Sequence, residues 1–169
     1  FARELNQKIC ERAPKLSDTI THANSAIAAD AASFVVLVSE LFLKNKMCKG
    51  VQVLGSGTSG VLPEEAPLAP VGAIKALLDQ TEISLSNVAF IELMEAYAAQ
   101  AIICTRLCDL DLDKINIRGG ALSRGHPIGA SGAILVVRLF NELIKTPGAS
   151  GMAAIAAAGG IGSAMMLKS

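Results

Sequence analysis

The sequence has few aromatic residues, few histidines and no excess of either charge sign. Among its 169 residues there are no Trp, one Tyr, five Phe and two His. The 15 Lys and Arg balance the 15 Asp and Glu, and no basic cluster is interleaved with aromatics. Binding to nucleic acid or to an anionic membrane surface depends on an excess of positive charge. The sequence therefore predicts neither kind of partner.

Long apolar runs and leader signals are also missing. No run approaches the roughly 20 apolar residues that span a bilayer, and the first residues lack the pattern of a signal peptide. The chain begins with Phe1 rather than Met, so we expect a piece of a longer or processed protein. A cytoplasmic location is predicted, with mitochondria or another organelle as the alternative, because a leader could precede Phe1.

The four cysteines lack the spacing of a metal site. They form no C-x-x-C pair, and no histidine completes a ligand set. Cys104 and Cys108 are four residues apart in a helical stretch, which places them on one helix face. We expect these two, together with Cys10 and Cys48, to be buried, reduced thiols of an intracellular protein. No metal is predicted.

Small and aliphatic residues are abundant, with 51% hydrophobic residues and 15 glycines. With so few aromatics, this composition is typical of alternating strands and helices that pack closely. Runs that suit strands lie at 33–39, 51–56, 88–93, 115–118, 151–158 and 163–167. Runs that suit helices lie at 40–45, 71–80, 95–107 and 131–144, and 1–18 suits a helix with a connector.

The order of these elements is β-α-β-α-β-α-β-α-β-β. Such alternation predicts an α/β fold with a largely parallel sheet, helices on both faces and an antiparallel pair of strands at the end. In the last helix, polar residues at three- and four-residue spacing predict a solvated stripe. The stripe consists of Arg138, Asn141, Glu142 and Lys145.

The most informative stretch is the loop at 119–133, which reads G-G-A-L-S-R-G-H-P-I-G-A-S-G-A. Five glycines surround His126, Pro127 follows it, and a helix-compatible run begins at Ser131. An imidazole in a tight loop at a helix N-terminus is one way in which a fold presents an acid–base group. A glycine turn with an incidental histidine explains the spacing equally well.

Two more unusual loops follow predicted strands, M-E-A-Y at 94–97 and the end of the final hairpin at 156–162. In parallel α/β sheets, ligands collect at the carboxyl ends of strands. Glu95 opens a predicted helix and suits the positive end of the helix dipole. It is interpreted either as a capping carboxylate or as a catalytic one.

Four segments together resemble the thiolase family of acetyl-CoA acetyltransferases and 3-ketoacyl-CoA thiolases. The loop at 119–133 resembles the family's histidine loop, and E-L-M-E-A-Y-A-A-Q at 92–100 resembles its Asn-Glu-Ala-Phe motif (His-Glu-Ala-Phe in one branch). A-A-I-A-A-A-G-G-I-G-S-A-M at 153–165 resembles its last catalytic-cysteine hairpin. T-H-A-N-S-A at 21–26 resembles the segment that meets the pantetheine arm of CoA.

The resemblance implies the C-terminal half of the thiolase fold, a three-layer αβα unit with a mixed, mostly parallel five-stranded sheet. Residues 1–19 would be a connector or the tail of a preceding segment, and 20–169 the thiolase C-terminal domain. Family members pair two similar halves and form dimers or tetramers. The implied partners are therefore an N-terminal thiolase half, further copies of the chain and an acyl-CoA. The CoA thioester is the substrate, and no cofactor is implied.

The implied reaction is Claisen condensation of two acyl-CoA molecules, or thiolysis of a 3-ketoacyl-CoA. It needs a thiolate nucleophile, a base and oxyanion donors. By resemblance His126 is the catalytic histidine, and the nucleophilic cysteine belongs to the other half. Ala156 stands at the position of the second catalytic cysteine and Met94 at that of the asparagine. Ala26 and Ala158 occupy CoA-binding positions, and the backbone amide of Ala158 is left as a donor to an oxyanion.

These replacements lead to two hypotheses. A methyl group at Ala156 cannot move a proton and Met94 cannot hold a polar water, so the acyltransferase is predicted to be impaired or inactive. The alternative is a catalytically dead scaffold that binds an acyl-CoA or a partner subunit. Simple explanations exist for each replacement: an engineered change at Ala156, a branch variant at Met94, a near-neutral truncation at Ala26. His22 is given no role, and the glycine loop lacks the spacing of a nucleotide-binding motif.

Overall fold

The computed structural model describes residues 3–169, so the helix and connector predicted at 1–18 are tested only from residue 3, with Phe1 and Ala2 outside the described part. The strands are β1 (Gln52–Gly60), β2 (Val88–Leu93), β3 (Ser150–Ala157) and β4 (Ile161–Lys168). The α-helices are α1 (Gln7–Arg12), α2 (Glu40–Lys46), α3 (Ala69–Thr81), α4 (Ala98–Leu107), α5 (Ala121–Arg124) and α6 (Ser131–Leu143). Short 3-10 helices lie at Pro63–Leu68, Leu85–Asn87 and Leu112–Lys114.

The four strands form one sheet in the order β1-β4-β3-β2. β2 and β3 pair in parallel, whereas β4 pairs antiparallel with both β3 and β1. Three strands therefore run in one direction, and β4 lies between two of them. The predicted α/β class, mixed sheet and terminal antiparallel pair are confirmed. Only one neighbouring pair is parallel, however, because the inserted β4 separates β1 from β3.

The sheet of the described residues has four strands, so the prediction of five is wrong. The expected strand at 115–118 is reduced to a single bridge between Ile115 and Ile91. It ends there because Asn116 adopts a left-handed conformation with φ 46°. The Asn116 side chain then accepts from the Leu93 N–H at 3.0 Å and donates to the Leu93 carbonyl at 2.8 Å. A side-chain amide thus takes the place of a fifth strand.

The apolar run predicted as a strand at 33–39 also lies outside the sheet. It has no regular secondary structure and leads into α2, and we call residues 33–43, which include the start of α2, the apolar arm. Phe34 is 87% exposed, Val36 83% and Leu37 80%. Because helices already cover both faces of the sheet, these side chains find no core to enter within the described chain.

Helices cover both faces of the sheet, as the three-layer prediction requires. On one face, Ile74 and Leu77 of α3 pack with strand residues such as Met152, and α4 adds to this cluster. On the other face, Leu139 of α6 packs in a second cluster that includes Ala153. Met152 and Ala153 are consecutive, so the alternation of β3 supplies both cores.

The prediction of buried thiols is right for two cysteines and wrong for two. Cys104 and Cys108 are buried on α4, whereas Cys10 and Cys48 are exposed. Cys10 belongs to α1 and Cys48 follows α2, and neither of these short helices has a buried residue. Within residues 3–169, no helix has the length and apolarity needed to cross a bilayer. The same residues contain no group of three His, Cys, Asp or Glu that could hold a metal.

Candidate functional site

His126 lies in the turn between α5 and α6, as the sequence predicts. Its backbone N–H donates to the Ile27 carbonyl at 2.7 Å, and the residue forms a parallel bridge with Ala28. The preceding Gly125 has φ 97°, and a Cβ there would lie 2.7 Å from the Ala29 Cβ. Glycine is therefore required before the histidine both for its conformation and for the close approach of the segment at 27–29.

The imidazole of His126 is half-buried and held through one ring nitrogen. Nδ1 lies 2.7 Å from Ser131 Oγ, and that hydroxyl donates to the Pro127 carbonyl at 3.0 Å. Because a hydroxyl has a single proton, Nδ1 must be the donor in the first bond. The neutral ring then carries its proton on Nδ1, and Nε2 is left with a lone pair. Burial lowers the pKa of His126, so at neutral pH the ring can act as a base through Nε2.

The Glu95 carboxylate caps α5 rather than the helix that follows it in sequence. Oε2 accepts from the Leu122 N–H at 3.2 Å, and Oε1 accepts from Asn116 Nδ2 at 2.5 Å. α4 itself begins only at Ala98. Of the two interpretations offered by the sequence, the capping one describes this geometry, although the capped helix is a different one.

A buried ion pair, which the sequence did not predict, joins β2 to α6. Arg138 donates to both carboxylate oxygens of Glu92, at 2.6 and 3.1 Å, and its Nη2 also donates to the Gly119 carbonyl at 2.7 Å. Burial raises the pKa of Glu92, and the hydrogen bond and charge of Arg138 oppose that rise. The placement of Arg138 in a solvated stripe is wrong, because its side chain turns in toward Glu92. The available signal was a lone carboxylate in the apolar strand V-A-F-I-E-L.

Met94 and Ala156 lie at the carboxyl ends of neighbouring parallel strands. The Met94 N–H donates to the Ala154 carbonyl at 2.9 Å, and its side chain is buried in the α6-side cluster with Leu139. Ala156 is half-buried and pairs with Gly162 across the hairpin. Both positions present apolar side chains, so neither can donate a proton or orient a water.

The segment at 21–28 connects the loop after β2 to the histidine loop. The Ala26 N–H donates to the Ala96 carbonyl at 2.9 Å, and the Ala98 N–H donates to the Asn24 carbonyl at 2.8 Å. The same segment then reaches His126 through Ala28. Three of the predicted motif segments are thus brought together by backbone contacts. Ala158 lies exposed in the turn of the fourth, the β3–β4 hairpin.

Arg3 anchors the start of the described chain to this region, a role that the sequence did not predict. Its guanidinium donates to the carbonyls of His22 at 2.5 Å, Leu122 at 2.7 Å and Ser25 at 3.0 Å. The segment predicted as a connector is therefore attached to both the 21–28 segment and α5. An arginine in a polar stretch carries no sequence signal for such partners. His22 contributes a backbone contact, and its side chain is exposed.

The two buried cysteines of the chain do not supply a ready nucleophile to the site. Burial raises the pKa of Cys104, and it raises the pKa of Cys108 to about 11. The Cys104 thiol donates to the Pro67 carbonyl on the α3 side of the sheet. Since the thiolate is the nucleophilic form, these two thiols are unreactive at neutral pH.

The family model described as "Thiolase, C-terminal domain" matches residues 48–169. A Bacillus subtilis (strain 168) protein, provisionally named as an acetyl-CoA C-acetyltransferase, is 40% identical over 90% of this chain and 42% of its own length. The cytosolic acetyl-CoA acetyltransferase of Rattus norvegicus is 36% identical over 89% of this chain and 38% of its own length.

Solved structures agree with these relatives. The Bacillus anthracis acetyl-CoA acetyltransferase superposes with a TM-score of 0.91 at 30% identity, over 97% of this chain and 43% of that one. A thiolase from Ascaris suum in complex with coenzyme A superposes with a TM-score of 0.85 at 32% identity, over 97% of this chain and 44% of that one. The chain thus spans less than half the length of these proteins.

Proposed function

The chain belongs to the thiolase family, and from that premise we propose that it is the C-terminal half of an acyl-CoA acyltransferase impaired in Claisen condensation and thiolysis. One observation carries the proposal. His126 keeps a base at Nε2, set by its bond to Ser131, while Met94 and Ala156 place apolar side chains at the two neighbouring strand ends. The base is present, whereas the side chains that would transfer a second proton and hold the oxyanion water are absent.

The magnitude of the expected loss follows from the two missing groups. Removing one oxyanion donor costs about 3 kcal/mol, or roughly 100- to 1000-fold in rate. A positioned acid–base group contributes roughly 100- to 10,000-fold. With both Met94 and Ala156 in place, the rate falls on the order of 10⁴-fold or more, since the two effects act on different steps of proton and charge transfer. Such a protein would have no ordinary turnover.

We assign CoA binding to the segment at 21–28 and to the β3–β4 turn, with Ala26 and Ala158 as the contact positions. Two observations support this assignment. The segment is hydrogen-bonded to both the loop after β2 and the histidine loop, and the similar Ascaris suum thiolase was solved with coenzyme A. The Ala26 methyl group has no polar atom, so contacts to the pantetheine amides would use the backbone. The thioester is the substrate, and no separate cofactor is needed.

We assign an N-terminal thiolase half as the partner of this chain. The similar proteins are more than twice as long as the part matched here. The apolar arm exposes Phe34, Val36 and Leu37, and an exposed apolar segment of this kind would be stabilised by pairing in a second sheet. Association into dimers or tetramers, a cytoplasmic location and the division at residues 19 and 20 stay predictions. The cytoplasmic location is supported by the rat relative, whose name describes it as cytosolic.

The proposal is tested on the full-length protein with acetoacetyl-CoA and CoA. No measurable thiolysis is expected, whereas calorimetry is expected to detect CoA binding. Normal turnover by an intact protein with alanine at 156 would overturn the proposal. The second candidate function is a scaffold. It is favoured by Met94 and Ala156, because their apolar side chains cannot take part in the reaction. If neither turnover nor CoA binding is found, a scaffold that binds only partner subunits is what remains.

A further inference from the structure

The loop that leads to His126 begins with two glycines, Gly119 and Gly120. The side chains of two other residues contact these glycines from two directions. The Glu95 carboxylate lies flat against Gly120, because a Cβ there would lie within 2.3 Å of all three carboxyl atoms, Cδ, Oε1 and Oε2. No side chain larger than that of glycine fits at this position without moving the carboxylate. From the other direction, Arg138 Nη2 donates to the Gly119 carbonyl at 2.7 Å.

The carboxylate of Glu95 is itself fixed by two donors from different parts of the loop. Asn116 Nδ2 lies 2.5 Å from Oε1, and the Leu122 N–H lies 3.2 Å from Oε2. Asn116 is anchored in turn, since its side chain bonds to both backbone groups of Leu93 at the end of β2. The carboxylate therefore connects the end of the sheet to the first turn of α5.

From α5 the connection to the histidine is short and has little freedom. Gly125 N–H donates to the Ala121 carbonyl at 2.8 Å, and the next residue, His126, is held by Ile27 at 2.7 Å. Only three residues lie between Leu122 and His126. A shift of the α5 N-terminus would therefore displace the backbone of His126, whose ring is bonded to Ser131 at the start of α6.

We propose that Glu95 is a positioning residue for His126, which it holds in place through Gly120 and α5 without touching the reacting atoms. Arg138, oriented by Glu92, supports the same loop at Gly119. The inference deepens the proposed function, on which the importance of His126 rests. It can nevertheless be tested without substrate, because its effect is on the imidazole itself.

A carboxylate is required here because both partners of Glu95 are donors. Glutamine has nearly the same shape but only one acceptor oxygen, so its NH₂ group would face either Asn116 Nδ2 or the Leu122 N–H. Glu95→Gln therefore removes one contact and adds a donor–donor conflict at almost constant volume. Glu95→Asp keeps the charge but is one methylene too short to reach both donors. Glu64→Gln, at an exposed position outside this network, is the matched control.

The experiment compares the imidazole ¹⁵N spectra of the wild-type chain and the three variants, with thermal unfolding as a check of the fold. The chain contains two histidines, so His22 serves as an internal reference, and His126→Asn identifies the His126 signals. In Glu95→Gln the Nδ1 and Nε2 shifts of His126 are expected to move toward each other as the Nδ1–H tautomer loses its preference. The His22 shifts and those of the Glu64→Gln protein are expected to stay as in wild type.

Unchanged His126 shifts in a folded Glu95→Gln protein would overturn the proposal. If that variant does not fold, Glu95→Asp decides in the same way: a folded Asp variant with wild-type His126 shifts overturns the proposal, and displaced shifts support it. A general loss of packing would lower the unfolding temperature and broaden both histidines alike, which also counts against a specific role. Failure of the proposed function is detected separately in the full-length protein, as normal thiolysis of acetoacetyl-CoA or as absence of CoA binding in calorimetry.

Discussion

Ser131 Oγ accepts the Nδ1 proton of His126 at 2.7 Å while its own proton goes to the Pro127 carbonyl. The tautomer of the histidine is thus determined by a hydroxyl five residues away, at the first residue of α6. We expect Ser131→Ala to release Nδ1 and to shift protonation toward Nε2. Since a net hydrogen bond contributes about 1 kcal/mol, the free energy of unfolding in urea should fall by about that amount.

The control for this change is Ser17→Ala, at an exposed serine. That variant should keep both the wild-type stability and the wild-type imidazole ¹⁵N shifts. If Ser131→Ala left the Nδ1 and Nε2 shifts of His126 unchanged, the hydroxyl would not determine the tautomer.

Removing one partner of the Glu92–Arg138 pair should greatly lower the free energy of unfolding. The effects of changing the two residues should not be additive. The two side chains are 4% and 17% exposed, and removing one partner of a buried pair typically costs about 3–5 kcal/mol. Arg138→Met should therefore destabilise the fold by about 3 kcal/mol, because it leaves the Glu92 carboxylate buried without its partner. Adding Glu92→Leu should recover much of that loss, and urea unfolding of both single variants and the double variant measures the coupling.

An exposed ion pair provides the comparison for these variants of the buried pair. Lys44 and Glu40 lie 2.6 Å apart on α2 with side chains that are 70% and 79% exposed. Lys44→Met should have no measurable effect on stability. Equal effects of Lys44→Met and Arg138→Met would mean that burial of the Glu92 pair contributes nothing.

Restoring the family residues should have opposite effects on stability and on activity. Met94→Asn places an amide among Leu135, Leu139 and other apolar side chains, which should cost about 2–4 kcal/mol. Ala156→Cys at its half-buried position should cost little. In the full-length protein, the two changes together should raise thiolysis of acetoacetyl-CoA above the background.

The matched control for position 94 is Met94→Leu, which keeps the volume and apolar character of the side chain. It should cost less than about 1.5 kcal/mol and should restore no activity. A Met94→Leu protein as unstable as Met94→Asn would show that shape rather than polarity limits this position.

Acidification should reduce stability through His126. Its pKa in the folded chain lies below the ordinary value of 6.5, because burial disfavours the charged ring. Between the two pKa values the unfolded chain binds more protons than the folded one, so the stability contribution of His126 is complete above pH 6.5 and is lost as pH falls through its folded pKa. Urea unfolding of wild type and His126→Asn at pH 7.5 and pH 5 measures the effect as a difference.

In that difference the titration of Glu92 occurs in both proteins and cancels. Glu92 works in the opposite direction, since its raised pKa favours the folded state when it is protonated. A wild-type advantage that did not shrink at acidic pH would contradict the burial of the His126 ring.

The apolar arm predicts that the 169-residue chain self-associates when produced without further sequence. The combined change of Phe34→Asp and Leu37→Asp should reduce that association, because it removes two side chains that are at least 80% exposed. Light scattering after size-exclusion chromatography measures the mass. Leu112→Asp, at a 73% exposed leucine outside the arm, should have little effect, and a monomeric wild-type chain would refute the prediction.

Local signals in the sequence predict much of the fold and, within the site, the turn that carries His126. Apolar periodicity locates α3, α6 and the β3–β4 hairpin, and the glycine pattern locates the turn that carries His126. These features depend on residues close together in the chain. The insertion of β4 between β1 and β3 could not be predicted in this way, because strand order depends on which edges meet in three dimensions.

The supporting contacts of the site were missed for the same physical reason. Glu92 and Arg138 are 46 residues apart in sequence, and a charged residue on an amphipathic helix is normally assigned to solvent. Asn116 bonds to Leu93 across 23 residues, and although asparagine tolerates a left-handed backbone, the sequence near it does not reveal that partner. Helical periodicity cannot reveal that a polar residue has a buried partner on another element.

The Asn116 side chain also has a consequence for how the molecule avoids unwanted assembly. β2 is an edge strand, and the N–H and carbonyl of Leu93 face outward, where a strand from another molecule could add. The amide of Asn116 occupies both groups, and Ile115 covers Ile91 just before them. This end of the edge is therefore closed to fibril-like growth, and replacing Asn116 by a residue without an amide would expose it to aggregation.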